Sequence, residues 1–251
     1  MANGEGYEME QLSAVILAAG EGKRMKSDLP KVLHPLCGKP MLEYIIESAA
    51  ELTKQIVIVV GYGALLVKDQ IGPRWQYVLQ EKQLGTGHAV MQAVPVLPPK
   101  GLLLVLCGDT PLLDAATLHK LADKGRKTVV TVATTFVPDP YGYGRIVRDS
   151  EGAVRAIVEE KDASEAEKTI REINSGTYCF DLFFLRHYLP RLSNDNAQGE
   201  YYLTDLIAMI AEDGHAVGAF VIDDYRKGLG INDQKQLAEA EQLIREAKNR
   251  G

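Results

Sequence analysis

Cysteine, tryptophan and phenylalanine are scarce in this chain of 251 residues, with three, one and five copies. The cysteines, Cys37, Cys107 and Cys179, are odd in number and far apart. No two have metal-ligand spacing, which excludes a disulfide scaffold or a zinc ribbon and predicts reduced, mostly buried thiols. No apolar run approaches the ~20 residues of a bilayer-spanning helix, so no membrane partner is expected. Basic residues are in deficit, 28 Lys and Arg against 34 Asp and Glu, and the net charge of −6 argues against general nucleic-acid binding. Met1 to Gln11 is acidic, without the basic start and apolar run of a signal peptide. Together these absences predict a cytoplasmic protein.

What is present is ordinary for a globular chain: 46% hydrophobic and 25% charged residues, enough to build a core without staples. Short apolar runs at 14–17, 56–60, 75–80, 102–107 and 128–135 read as strands, and the continuous β-branched run at 56–60 as one buried on both faces. Met41, Leu42, Ile45, Ile46, Ala49 and Leu52 follow helical spacing, and helices are also expected near 86–94 and 114–124. This alternation indicates a parallel sheet covered by helices, with ligands at the carboxyl ends of its strands. Further on, 144–148 and 154–160 flank a turn and suggest a hairpin. Asp162 with Glu165 resembles a capping box. Strands at 173–180 and 216–222 and helices at 202–211 and 232–248 complete the pattern. No repeat or linker interrupts it, and one compact domain is expected.

The first candidate motif follows the first strand: Leu17-Ala18-Ala19-Gly20-Glu21-Gly22-Lys23-Arg24-Met25, then Leu29-Pro30-Lys31. Small residues admit a ligand close to the backbone, whose N–H groups cradle phosphate. Arg24 brings a planar fork and Lys31 a point charge. Met25 replaces the third glycine of a dinucleotide fingerprint, disfavouring a dinucleotide-dependent oxidoreductase, and Arg24 stands where a Walker loop needs Ser or Thr. The second motif, Gln80…Gln83-Leu84-Gly85-Thr86-Gly87-His88, places an amide that suits a base edge beside flexible backbone. Thr86 is a candidate helix cap, and His88 reads as a satisfied polar residue, not a base. In the third, Cys107-Gly108-Asp109, Asp109 ends a central strand where a carboxylate could hold Mg²⁺ between phosphates. Asn232 is either a second oxygen ligand or the N-cap of the last helix. Tyr141–Arg145, Glu159–Asp162, Asn174–Gly176 and the run 198–205 carry groups that suit a sugar.

Taken together these residues resemble a known family, the uridylyltransferase domain of the bacterial bifunctional N-acetylglucosamine-1-phosphate uridylyltransferase/glucosamine-1-phosphate acetyltransferase. The likeness spans roughly 12–245, and the run Asn196-Ala197-Gln198-Gly199-Glu200-Tyr201-Tyr202 points to this branch. It implies a Rossmann-like α/β fold, a mixed, mostly parallel sheet flanked by helices. It also implies UTP and N-acetylglucosamine 1-phosphate as partners, Mg²⁺ as cofactor, and a role in making peptidoglycan and lipopolysaccharide precursors. Residues 12–135 would form the nucleotide part, 136–230 the sugar part and 231–251 a C-terminal helix. Leu17, Ala18, Ala19, Gly20, Gln80, Gly85, Thr86, Cys107 and Gly108 would line the nucleotide. Arg24, Lys31 and Asp109 would carry catalysis, and Asp109 and Asn232 would hold the metal. Gly144, Glu159, Asn174, Tyr202, Thr204 and Asn232 would meet the sugar. Two positions depart from the family: Lys23, where Thr is usual, and Cys107, often Tyr. The family's acetyltransferase β-helix has no counterpart after Gly251, so acetyl-CoA chemistry and a trimer built by that half are not expected; a monomer or a dimer is. Sister enzymes using another sugar phosphate or dTTP, and a non-catalytic nucleotide-sugar sensor, are the competing readings.

Overall fold

The computed structural model describes residues 11–250; the acidic stretch before Gln11 lies outside them. In chain order the elements are β1 (Leu12–Ala18), β2 (Pro35–Leu36), β3 (Lys39–Pro40), α1 (Met41–Leu52), β4 (Ile56–Val60), α2 (Ala64–Ile71), β5 (Gln76–Leu79) and α3 (Thr86–Ala93). They continue with β6 (Leu102–Cys107), α4 (Ala115–Gly125), β7 (Val130–Phe136), β8 (Arg145–Arg148), β9 (Val154–Val158), α5 (Glu165–Lys168) and β10 (Glu172–Asp181). Last come α6 (Leu182–Tyr188), α7 (Asp205–Glu212), β11 (Val217–Val221) and α8 (Gln234–Arg250).

The main sheet runs β11-β7-β10-β6-β1-β4-β5. The β6, β1, β4 and β5 neighbours pair in parallel, as do β7 and β11, while β10 is antiparallel to both β6 and β7. On this path only β10 is reversed, so the sheet is mixed but mostly parallel, with β10 inserted between β6 and β7. The hairpin of β8 and β9 hangs from β10 through an Ile173–Arg145 pairing.

Alternation within the apolar strands builds two cores. Val15, Val57, Leu103, Val105, Phe180 and Tyr178 face one side, against Val90 of α3, Leu185 of α6 and Leu206 and Ile210 of α7. Ile16, Ile58, Leu104 and Leu106 face the other, against Leu42 and Ile45 of α1 and Leu118 and Leu121 of α4. Both sides are covered, which is why these strands read as unbroken hydrophobic runs. Each fully buried Leu or Ile here is worth about 1.5–3 kcal/mol of transfer free energy. A smaller cluster joins Met25, Leu36 and Met41 to Ile231, Leu237 and Ala240, fastening α8 to the loop after β1.

Several local expectations change. The helices α2 and α6 were not expected: α2 is short and begins after the Gly61-Tyr62-Gly63 turn, and α6 is short and follows β10 directly. The expected Asp162–Glu165 box is instead made by Ser164 and Glu167, which satisfy each other's backbone N–H groups. Asp162 accepts from Ala197 N at 2.9 Å and from the Tyr202 hydroxyl at 3.3 Å. The helix expected from 202 begins at Asp205, and the last one begins at Gln234. No helix among the described residues is long and apolar enough to cross a membrane. The cysteines are free, with only Cys179 fully buried and Cys37 and Cys107 part-exposed.

At the end of β10 the Glu172 carboxylate, 5% exposed, accepts from Arg148 Nε at 2.7 Å and Nη2 at 2.6 Å and from the Thr134 hydroxyl at 2.7 Å. Burial raises its pKa, but these hydrogen bonds outweigh that and hold it below the usual glutamate range. A carboxylate with a depressed folded-state pKa stabilises above its unfolded pKa and loses that contribution as pH falls through the folded value. Glu172→Gln should therefore cost about 1–3 kcal/mol at pH 7, with the gap to wild type closing below about pH 4. Urea titrations at pH 7 and pH 3.5 check this.

Candidate active site

A cavity of about 500 Å³ opens where β1 and β6 end. Its wall includes Leu17, Ala18, Ala19, Gly20, Lys31, Gln80, Gly85, Thr86, Cys107 and Asp109. Gly108 is buried and packs behind it, its N–H on the Leu17 carbonyl at 2.9 Å. Beyond β1 the chain turns at Gly22, φ +68°, where a Cβ would lie 2.5 Å from Lys31 Cβ, so only glycine lets the two loop segments close. Met25 is 1% exposed and anchors the following single turn, which leaves the neighbouring Arg24 outside. Pro30 begins another short turn whose Val32 and Leu33 are buried. That turn leaves Lys31 to enter the cavity.

Four of the predicted polar residues converge there. Lys31 Nζ is ion-paired with Asp109 Oδ2, the two side chains 15% and 20% exposed. It also donates to Asn232 Oδ1 at 2.8 Å, and Arg24 Nη2 donates to the same oxygen at 2.8 Å. The two readings of Asn232 are resolved by its neighbours. Asp233 caps α8, accepting from Gln236 N at 2.9 Å. Asn232 gives its backbone N–H to Gln236 Oε1 at 2.7 Å and its Nδ2 to Gly230 O at 3.0 Å, which turns Oδ1 toward the cations. Expected on both the metal and the sugar side, Asn232 contacts Lys31 and Arg24.

At the other end of the cavity, Gln80 is 3% exposed and its Nε2 is committed to Gly85 O and His88 Nδ1, both at 3.0 Å. Its contribution to a ligand is therefore the carbonyl oxygen. His88 Nε2 also lies 3.2 Å from Gln92 Nε2, and since a neutral imidazole accepts at only one nitrogen, the ring takes one of these two amide N–H groups, as a polar residue with a local partner and not as a base. Thr86 is not the cap of α3; Gly85 occupies that position without a side-chain bond, and the Thr86 hydroxyl accepts from Leu203 N at 3.1 Å. Glu21, Val32, Gln83, Ala89 and Glu200 also line the cavity. Glu200 comes from the run assigned to the sugar. Its reach follows from Tyr201 N bonding to Leu84 O and Gly87 N to Tyr201 O, each 2.8 Å, contacts with no signature in sequence spacing.

The sugar-side residues form a second group. Asn174 N bonds to Gly144 O at 2.9 Å, and a Cβ on Gly144 would lie 3.5 Å from Glu159 Oε1. Burial pushes the Glu159 carboxyl up, against the opposing Thr204 hydrogen bond at 3.0 Å, with Asp205, Asp162 and Glu200 adding to the rise. Tyr202 and Thr204 are 5% and 3% exposed. Their hydroxyls hold Asp162 and Glu159, so they stand behind the group. Burial takes the Tyr202 phenol up to about 12. The groups meet at Cys107, whose Sγ donates to Gly176 O at 3.4 Å and whose thiol is pushed up to about 12, chiefly by burial and then by Asp109. Tyr143, from the Tyr141–Arg145 turn expected on the sugar side, lies within reach of the charges: burial raises its phenol, Asp109 adds to the rise and Arg24 opposes it.

Among the described residues no group of three or more His, Cys, Asp or Glu side chains forms a metal cage. A Mg²⁺ site needs less, because Mg²⁺ keeps waters and shares phosphate oxygens. The Asp109 carboxylate and the Asn232 carbonyl already converge on one cation, the Lys31 ammonium. A second cavity, about 460 Å³ and lined by Leu112, Tyr225, Ile231 and Leu243 among others, holds none of the predicted residues.

Comparison with known proteins agrees with this geometry. The model of the MobA-like NTP transferase domain matches residues 14–175. The "Bifunctional protein GlmU" of Geobacillus thermodenitrificans (strain NG80-2) is 53% identical over 239 residues, covering 93% of this chain and 52% of that protein. The protein of the same name from Bacillus subtilis (strain 168) is 49% identical over 246 residues, covering 96% and 54%. That of Caldanaerobacter subterraneus subsp. tengcongensis is 49% identical over 244 residues, covering 96% and 53%. The chain thus spans about half the length of the curated relatives it matches. With a mostly parallel sheet flanked by helices and a matched segment running from β1 into β10, the chain belongs to the MobA-like NTP transferase domain family.

Proposed function

We propose that this chain transfers UMP from UTP to N-acetylglucosamine 1-phosphate, releasing pyrophosphate. One observation carries the reading: Lys31, Arg24, Asp109 and Asn232 meet at the mouth of a backbone-lined cavity where parallel strands end. Only a ligand with several negative charges uses two cations and a carboxylate at one point. A nucleoside triphosphate with its cation does so. Relatives 53% and 49% identical to this chain support the choice of nucleotide and sugar that the family resemblance implies. Residues 12–135 then carry the nucleotide and 136–230 the sugar.

The chemistry is an in-line displacement. A phosphate oxygen of the sugar phosphate forms a bond to the α-phosphorus of UTP, the bond from that phosphorus to the β-bridging oxygen breaks, and the electron pair leaves on pyrophosphate. Sugar phosphate is ionised near neutral pH, since a phosphate monoester's second pKa is about 6, so no protein base is required. What the chain supplies is alignment and charge. Lys31 and Arg24 offset the charge that grows on the leaving pyrophosphate. Backbone along Leu17 to Gly20 borders the nucleotide, and the Gln80 carbonyl offers an acceptor to the N–H of a uracil edge. Gly144, Glu159 and Asn174 face the sugar. Asp109 and Asn232 would hold Mg²⁺, which when bound draws charge from the phosphate groups.

Pyrophosphate release should be greatest with UTP and N-acetylglucosamine 1-phosphate. It should be lower by about tenfold or more with glucose 1-phosphate, N-acetylmuramate 1-phosphate or dTTP. A sensor would bind UDP-N-acetylglucosamine and release none, and that result would sink the reading. Asp109→Ala and Lys31→Ala should each lower turnover by about two to three orders of magnitude in protein that still folds, with Lys31→Ala melting below wild type because it leaves the Asp109 carboxylate unpaired. Near-normal rates in a folded variant would remove that residue from catalysis. Lys31→Ala has a second expected effect of opposite sign. With no ammonium between Asp109 and Asn232, Mn²⁺ should bind the nucleotide-free protein more tightly than it binds wild type, as calorimetry or electron paramagnetic resonance would read.

A further inference from the structure

Asn174 sits at a break in the sheet. The register of β10 against β7 slips between Asn174 and Thr177. Gly176, at φ +74°, makes that bulge, and a Cβ on it would lie 2.8 Å from Cys107 Sγ. A bulge of this kind re-aims a side chain out of the ladder. The amide so presented is gripped at both ends. Gly176 N donates to Asn174 Oδ1 at 3.0 Å, and Asn174 Nδ2 donates to the Tyr178 hydroxyl at 2.6 Å. A side-chain amide has two N–H groups and two lone pairs. One of each is used here, leaving one donor and one acceptor for a ligand.

We propose that Tyr178 is a positioning residue for sugar recognition: its hydroxyl locks the Asn174 amide in the orientation that the sugar phosphate's ring substituents read. The inference rests on the assignment of Gly144, Glu159 and Asn174 to the sugar side. Tyr178 is fit for the task because it cannot move. It is 3% exposed, sits opposite Val105 of β6 and Val132 of β7, and packs on Phe180 with ring centroids 5.6 Å apart. Burial first, and then Glu159, hold its phenol in the neutral form, with ionisation well above the ordinary tyrosine range. A neutral phenol oxygen accepts from Asn174 at any working pH. Without it, Gly176 still attracts the amide oxygen, but the nitrogen end has no fixed partner and the free N–H that meets the sugar is no longer aimed.

The test is a cycle of Tyr178→Phe and Asn174→Ala in the full chain, assayed by pyrophosphate release. Tyr178→Phe removes one oxygen and keeps the packed ring. It should raise KM for the sugar 1-phosphate about three- to tenfold, leaving kcat and the KM for UTP within about twofold. Added to Asn174→Ala it should do nothing further, since the group it positions is gone. Multiplying effects, an equal rise in the KM for UTP, or an unchanged KM for the sugar phosphate would each overturn the proposal. A second measurement needs no turnover. Of the two Asn174 side-chain amide protons, assigned by their loss in Asn174→Ala, the one on the Tyr178 hydroxyl should be protected from solvent exchange in the wild-type protein, and fast exchange of both would refute the lock. Wild-type activity separates the two claims. No pyrophosphate from any sugar 1-phosphate would remove the proposed function, whereas turnover on a different sugar moves the same cycle to that sugar and still tests Tyr178.

Discussion

The Lys31 ammonium lies against the Asp109 carboxylate and the Asn232 amide oxygen, and three distant stretches of chain meet at that point. The carboxylate comes from the end of β6, the ammonium from a short turn after β1, and the amide from the residues before α8. A carboxylate four-fifths buried and left alone would be costly, and breaking a buried pair by removing one partner is strongly destabilising. The balance of charge therefore constrains the backbone. Pro30, Val32 and Leu33 set the Lys31 turn, and Asp233 rather than Asn232 has to cap the last helix. The same arrangement brings together the two cations, the carboxylate and the amide oxygen that a triphosphate with its cation would need.

Helix α8 lies outside the sheet, yet the site depends on it. Met25, one residue from Arg24, and Ile231, one residue from Asn232, share a small core with Leu237 and Ala240 of α8. The hairpin of β2 and β3 adds a bond from Cys37 N to Glu241 Oε1 at 2.8 Å. Apolar packing of modest size thus sets the distance between a phosphate-side arginine and the amide it contacts, and hydrogen bonds from Gln234 to Met25 O and from Asn232 N to Gln236 refine it.

The reversed strand β10 connects the two halves of the chemistry. It enters between β6, which ends in Cys107 and leads to Asp109, and β7, and its bulge places Asn174 beside Gly144. The contact between Cys107 Sγ and Gly176 O joins the cavity to the group proposed for the sugar. Glu200, brought to the cavity wall by the Tyr201 backbone pairings, comes from the run expected on the sugar side. The sugar group is a layered arrangement, with Glu159 and Asn174 in front and Thr204 and Tyr178 holding them.

The apolar runs of β4 and β6, the spacing of α1, and the small-residue turn after β1 were legible in sequence because each depends on residues adjacent in the chain. Covered on both faces, such strands have no polar alternation to blur them. Arg24, Lys31 and Asp109 were legible as charged groups beside glycine and strand ends, which is where phosphates bind. What the sequence by itself determined was the class of fold, and it marked Arg24, Lys31 and Asp109 as charged groups to look for beside the strand ends. Only the tertiary structure decided that β10 runs backwards between β6 and β7, that Asn232 is turned to the cations while Asp233 caps the helix, that Gln80 keeps only its oxygen for a ligand, and that Tyr178 holds Asn174. The reversal of β10 depends on strands tens of residues away, Asn232 on a competition between neighbouring caps, and Gln80 and Asn174 on side chains nearby in the chain that only a loop and a bulge turn toward them. Such outcomes are settled by which buried polar groups find partners when the layers pack, and no local pattern of residues records them.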